Sequence, residues 1–176
     1  MRVAYAGAPG AFAHEACRRF LPDHEPVAVA SFGEVVAAVE SGETELGMLP
    51  LANNEAGETG ARALIEAAGL RIVEQPVLAV RMHLLGLPTA TLDQVRTVAS
   101  HPVALRQCSR ALARLGVATE EAANTATAAQ ALREPDRAVL ASEAAAEIYG
   151  LAILERDVHD RPDNATAFAI VRRGTP

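Results

Sequence analysis

Lysine is absent: all 16 basic residues of the 176-residue chain are arginine. Schiff-base catalysis, a phosphate-loop lysine and a lysine general base are therefore excluded. Tryptophan is also missing and aromatics make up 3% of the residues, so the chain lacks the stacking platform that single-stranded nucleic acid needs. Its formal charge is −6 and its arginines are scattered, which leaves no concentrated basic face for a phosphate backbone. A nucleic-acid partner is not expected. The two cysteines, Cys17 and Cys108, form neither a disulfide framework nor a Cys-x-x-Cys pair. That pattern points to a reducing cytoplasm, with both thiols as small buried hydrophobes. No apolar run approaches the roughly 20 residues that cross a bilayer, and Met1 to Gly7 runs straight into a strand-like pattern. Neither a membrane partner nor export is expected. His159 lies among Asp157, Asp160 and Asp163, but in a turn without metal-ligand spacing, so no metal is expected.

What is present is a chain that is 50% hydrophobic, long enough for one domain or two small lobes. Short apolar runs alternate with helical patterns, which is an α/β reading. Val3–Ala6 and Val27–Ala30 read as strands around a helix carrying Phe12, Ala16, Cys17 and Phe20. Ser31 with Glu34 is a capping box that opens a helix closed by Ser41-Gly42, before a strand at Leu46–Leu49. Thr59–Ala68 is the next helix, and Arg71–Leu87 is a long extended stretch interrupted by Pro76. After a strand at Val98-Ala99, Ser100 is an expected N-cap with Pro102 in the first turn of a helix running to about Leu115. Leu105, Cys108, Leu112 and Leu115 form its core stripe, while a third strip of Ala104, Gln107 and Ala111 leaves Gln107 open to a ligand. Asn124 or Thr125 caps a helix stopping at Pro135. Strands at Ala138–Ala141 and Leu151–Leu154 flank a helix capped by Ser142, and Thr166–Val171 is the last strand. Two inter-lobe crossings imply lobe 1 at 1–78 and 162–176, lobe 2 at 79–161, and a cleft between them where such folds bind ligands.

Five segments in order resemble the catalytic domain of the prephenate dehydratase family, across essentially the whole chain. Gly7-Ala8-Pro9-Gly10-Ala11-Phe12-Ala13 matches the family's opening motif without its hydroxyls. Pro50-Leu51-Ala52-Asn53-Asn54, with Gly57 in register, matches Pro-x-Glu-Asn-Ser without the glutamate. Ser100-His101-Pro102 through Gln107-Cys108 is close to the family pattern. Asn124-Thr125-Ala126-Thr127-Ala128-Ala129 stands for Ser-Thr-Ala-x-Ala-Ala. Asp160 through Asn164, Thr166, Ala167 and Phe168 stands for Asp-x3-Asn-x-Thr-Arg-Phe, with alanine in place of arginine.

The resemblance implies two small lobes like those of type 2 periplasmic binding proteins, a homodimer, and a cofactor-independent dehydratase acting on a small anionic ring acid. It maps the catalytic groups onto Asn53, Ser100, Gln107 and Thr166. Asn54, His101, Thr125, Ala126, Asn164, Ala167 and Phe168 fall among its substrate contacts. The expectation for His101 from its place beside a cap is a structural role instead. Thr166 would donate to the departing ring hydroxyl, while the other three hold ring and hydroxyl in place. The family often carries a phenylalanine-sensing domain. This sequence ends at Pro176 without one, so feedback control by phenylalanine is not expected.

Ala167 removes the forked arginine contact that would fix a carboxylate. The first expectation is therefore a dehydratase with altered specificity, acting on a ring acid with one carboxylate fewer in a specialised aromatic or tropone-type pathway of secondary metabolism. Three alternatives stand beside it: an authentic prephenate dehydratase giving phenylpyruvate, a prephenate decarboxylase that does not aromatise, and a non-catalytic small-molecule binding protein.

Overall fold

Val3, Ala4 and Tyr5 are all buried, the mark of a strand covered on both faces. In the computed structural model, which describes residues 1–174, this is β1 (Arg2–Ala6), paired in parallel with β2 (Glu25–Val29) and β3 (Leu46–Asn53). Helices α1 (Phe12–Phe20) and α2 (Phe32–Ser41) link them in the usual crossover manner. A hairpin to the two-residue β4 (Gly57–Glu58), helix α3 (Ala61–Ala67), β5 (Arg71–Glu74) and β6 (Val77–Ala79) follow. The last strand, β12 (Ala165–Arg172), returns antiparallel between β3 and β5, giving the order β2-β1-β3-β12-β5.

The two faces of this sheet carry separate cores. Phe168 and Ile170 of β12 pack with Val3, Tyr5, Met48 and Leu78 on the α1 side. Ala169 and Val171 pack with Leu49, Val35, Val39 and Ile65 on the side of α2 and α3. This is the alternation of a strand read directly from cluster membership.

A second sheet has the order β11-β7-β10-β8-β9. Its strands are β7 (His83–Gly86), β8 (Thr97–Ser100), β9 (Ala118–Glu121), β10 (Arg137–Ala141) and β11 (Ala152–Glu155). Strands β8, β9 and β10 are parallel, so their C-terminal ends share one edge. Helices α4 (Pro102–Gln107), α6 (Thr125–Ala131) and α7 (Glu143–Tyr149) each begin at that edge. Helix α5 (Ser109–Leu115) follows α4.

Backbone contacts divide the chain into two units. Met1–Ala8, Phe12–Ala79 and, among the described residues, 165–174 make the first; Pro9–Ala11 and Val80–Asn164 make the second. The boundaries thus fall after residue 79 rather than 78 and after 164 rather than 161. Residues 175–176, assigned to the first lobe from sequence, lie outside the described residues. The short Pro9–Ala11 segment belongs with the second unit, so the chain crosses more often than the two passages expected. Two hydrogen bonds hold it there. Ser142 Oγ donates to the Gly10 carbonyl at 2.7 Å and Tyr149 Oη donates to that of Pro9 at 2.8 Å. A Cβ on Gly10, whose φ is +87°, would stand 2.8 Å from Ala145 Cα, so both conformation and space require glycine.

Three local expectations are corrected. The cap of α4 is His101, whose Nδ1 accepts from Val103 N–H at 3.2 Å. Ser100 is one residue too early, and its hydroxyl donates instead to the Leu140 carbonyl at 2.7 Å. The single helix to Leu115 is two helices broken at Cys108. Across that break Ala104, Gln107, Cys108, Ala111 and Leu112 all face inward, so Gln107 is buried and not on an exposed strip. Asn124, not Thr125, caps α6.

Candidate active site

Asn53 and Thr166 face each other across the antiparallel β3–β12 ladder. Simple alternation along β3 would put Asn53 on the face of Leu49 and Leu51, which pack against α2 and α3. Between Ala167 and Phe168 the register slips, with Ala167 opposite Ala52 and Phe168 opposite Pro50. Leu51 is thus the extra residue of a β-bulge, and the slip turns Asn53 to the face of Thr166 and Phe168. Thr59 satisfies the bulged backbone: its N–H donates to the Leu51 carbonyl at 3.0 Å, and its hydroxyl reaches the carbonyls of Pro50 and Leu51. Neither the bulge nor Thr59 was evident as a site determinant from sequence. The only signal was Pro50 inside an otherwise regular strand pattern.

The bulge delivers a polar pair. Asn53 Nδ2 donates to Thr166 Oγ1 at 3.0 Å and to the Ala165 carbonyl at 3.1 Å. Its Oδ1 accepts from the N–H groups of Glu55 and Ala56 at 3.0 and 2.9 Å. Those backbone donors fix which way the amide points. Gly57, at φ +86°, closes the three-residue turn from Asn54 to Ala56 as a glycine bulge. Asn54 adds a second brace, accepting from Ala165 N–H at 3.0 Å through Oδ1 and donating to the Ala165 carbonyl from its own N–H at 3.1 Å. Thr166 is therefore held from both strands. Its Oγ1 accepts from Asn53, and among the described residues no acceptor takes its proton. Chemically the pair is a neutral hydrogen-bond donor whose oxygen is held in place.

The expectations for Phe168 and Ala167 change. Phe168 is 1% exposed and packs within the α1-side core. Ala167 alternates to the opposite face. Its neighbour on β6 is Val77, which is 61% exposed, whereas the neighbour of Thr166 is Leu78, fully buried in the α1-side core. An arginine at 167 would leave the sheet on the side away from Thr166.

In the second unit the sequence-derived residues gather at the C-terminal edge of the parallel strands, where open α/β sheets place ligands. Ser100 ends β8, His101 and Gln107 bound α4, and Thr125 and Ala126 open α6. All but His101 are buried. The Ser100 proton is committed to Leu140, which leaves its oxygen only as an acceptor. Asn164, also buried, closes a turn through its N–H to Arg161 and accepts from Val80 N–H through its carbonyl. The four expected catalytic residues thus divide between units: Asn53 and Thr166 are hydrogen-bonded in the first, Ser100 and Gln107 lie in the second. A cavity of about 460 Å³ in the second unit, lined by Ala99, Ala122, Ala128, Leu132, Glu134 and Arg137 among others, includes none of the expected site residues.

Three of the five histidines accept from backbone N–H groups. Nδ1 of His83 accepts from Asp157 N–H at 3.0 Å and Nδ1 of His159 from Met82 N–H at 3.4 Å, as His101 does from Val103. Burial lowers the His83 pKa, partly offset by Asp157 and Glu143. Burial, then Arg106, lowers that of His101, and burial, then Arg18, that of His14. Each of these imidazoles is thus neutral to lower pH when folded than when unfolded. The unfolded chain takes up protons first, so their contribution to stability is complete above the ordinary value of 6.5 and declines as pH falls below it. Urea midpoints are expected to drop between pH 7.5 and 5.5; an equal or higher midpoint at 5.5 contradicts this assignment. Cys17 is inert by contrast, its thiol pushed up to about 12 by burial. Among the described residues no three His, Cys, Asp or Glu side chains group as metal ligands. Nor is any helix among them long and apolar enough to cross a membrane.

Two α/β units with polar side chains at the carboxyl edges of their parallel strands define an α/β protein of the open-sheet class. The chain belongs to the prephenate dehydratase family, whose model matches residues 3–176. It is 38% identical to the bifunctional N-acyl-homoserine lactone acylase/prephenate dehydratase of Komagataeibacter europaeus, over 97% of this chain and 62% of that protein. It is 37% identical to the chloroplastic arogenate dehydratase/prephenate dehydratase 2 of Arabidopsis thaliana, over 98% of this chain and 46% of the relative. The chain therefore spans about half to three-fifths of the length of these two relatives. A solved structure described as GqqA, a novel type of quorum quenching acylase, superposes with a TM-score of 0.92 at 36% identity, covering 100% of this chain and 65% of that one. At 14% identity and a TM-score of 0.53, a periplasmic substrate-binding protein of an ABC transporter from Coxiella burnetii shares the fold alone, over 98% of this chain and 85% of its own.

Proposed function

We propose that this protein is a lyase that converts prephenate to phenylpyruvate, with Thr166 assisting departure of the ring hydroxyl. The bond between ring and ring carboxylate breaks and its electron pair enters the ring, releasing carbon dioxide. Across the ring the C–O bond breaks with its pair on oxygen, so hydroxide leaves and the ring becomes aromatic. The observation that carries this reading is the 3.0 Å hydrogen bond from Asn53 Nδ2 to Thr166 Oγ1. It occupies a lone pair of Oγ1 and directs the hydroxyl proton elsewhere, towards an oxygen on which charge develops. A neutral donor suits this task because it needs no shifted pKa and does not compete as a base. The family resemblance assigns Gln107 and Ser100 to holding the ring, and this reading keeps that assignment. The names of the Komagataeibacter and Arabidopsis relatives, each of which includes prephenate dehydratase, support the substrate class.

The position of Ala167 favours prephenate over a ring acid stripped of one carboxylate. A side chain leaving the far face of β12 neither grips nor releases a carboxylate beside Thr166. Incubation with prephenate is expected to yield phenylpyruvate, read by its absorbance, and Ala167→Arg is expected to leave KM within about fivefold, since an exposed charge contributes at most about 1 kcal/mol. A fall in KM of about tenfold or more, equivalent to about 1.4 kcal/mol, would restore the lost-anchor account. Absence of phenylpyruvate from the unmodified protein would defeat the proposed reaction itself.

A further inference from the structure

Gln107 stands at the end of α4, next to a break at Cys108, where φ is −120° and ψ is 25°. Helix α5 starts immediately afterwards with no side-chain cap from Cys108. The cap comes from Asp160, 51 residues on from Ser109. Its Oδ2 accepts from Ser109 N–H at 3.0 Å and from the Ser109 hydroxyl at 2.7 Å, and its Oδ1 accepts from Arg110 N–H at 3.0 Å. On the other side of the break, Asp160 N–H donates to the Gln107 carbonyl at 2.7 Å. One residue therefore grips both ends of the interruption. The grip is of a strong kind, because a carboxylate accepting from first-turn amides satisfies donors that otherwise lack partners and interacts favourably with the helix terminus.

Resting on the reading of Gln107 as a ring-holding group, we infer that Asp160 is a positioning residue that fixes Gln107 through the break between α4 and α5. The Gln107 side chain is buried, at 3% exposure, so its placement follows from the backbone that carries it. The Asp160 carboxylate is engaged by three donors of α5 and its N–H by Gln107; its chemistry is structural support at one removed position. A loosened break shifts Gln107, and displacements of about 1 Å in a positioning group can cost about 10²-fold in rate.

The test is a double-mutant cycle on phenylpyruvate formation from prephenate, using Gln107→Ala, Asp160→Ala and both together, with thermal melts of each. Asp160→Ala is expected to lower kcat by about 10- to 100-fold while KM changes by less than about threefold. In the Gln107→Ala background the same change is expected to cost less than about threefold more, because the two residues act as one unit. A merely structural role would give a full second loss there. Should Asp160→Ala fail to fold, Asp160→Asn keeps one carbonyl acceptor for the α5 amides and is expected to lose roughly tenfold in kcat. Native kcat in folded Asp160→Ala or Asp160→Asn, or a full additional loss in the double variant, overturns the inference. Native kcat in Gln107→Ala instead defeats the reading of Gln107 itself.

Discussion

Thr166→Val is expected to lower kcat for phenylpyruvate formation by roughly 10²- to 10³-fold, the usual cost of removing a single preorganised donor to a developing oxyanion. Valine keeps the shape and the strand preference of threonine while deleting the hydroxyl, so β12 and its pairing with β3 remain. KM should change little, because the missing contact strengthens only as the C–O bond breaks. Thr166→Ser, which keeps the hydroxyl, should recover most of the rate. Thr166 is 9% exposed and its partner Asn53 is half-buried, so the valine variant also leaves Asn53 Nδ2 short of one acceptor, at a cost of about 1 kcal/mol. That loss is too small to account for a hundredfold drop in rate through unfolding. Equal kcat for the threonine and valine forms would remove Thr166 from the chemistry.

Phe168→Ala is expected to act on stability. The side chain is 1% exposed among Val3, Tyr5, Met48, Leu78 and Ile170, and truncating such a phenylalanine typically costs about 3–5 kcal/mol through lost burial and the cavity left behind. For a chain of this length the melting temperature should fall by roughly 10 °C. KM measured well below that temperature should stay within about threefold of the native value. A variant with a native melting temperature and a sharply raised KM would return Phe168 to the substrate surface.

The parts of the fold legible in the sequence were those set by neighbours along the chain. Ser31, Gly42 and Ser142 mark helix ends that local chemistry decides, and the structure shows each cap formed, although Glu34 accepts from Ala30 N–H and does not close the expected capping box with Ser31. The parts that were not legible depend on distant partners. Ser100 has the residue type of a cap, but the Leu140 carbonyl takes its hydroxyl, and His101 caps α4 instead. The break at Cys108 coincides with an aspartate that arrives from far down the chain. Pro9–Ala11 follows a strand of the first unit, yet its contacts are with α7.

For the site, the chemical types of Asn53 and Thr166 could be read from motif resemblance, but their pairing could not. It requires a one-residue slip at Leu51, and a period-two pattern carries no mark of such a slip except the proline beside it. The same alternation corrects the weight placed on Ala167. Adjacent residues in a strand belong to opposite faces, so a change next to Thr166 in sequence is not a change next to it in space.

The most direct measurement is the stoichiometry of products when the unmodified protein is given prephenate. Release of carbon dioxide and phenylpyruvate in equal amounts is the result required if a hydroxyl proton on Thr166 helps the ring oxygen leave. Carbon dioxide appearing without phenylpyruvate, the ring hydroxyl still in place, would contradict it.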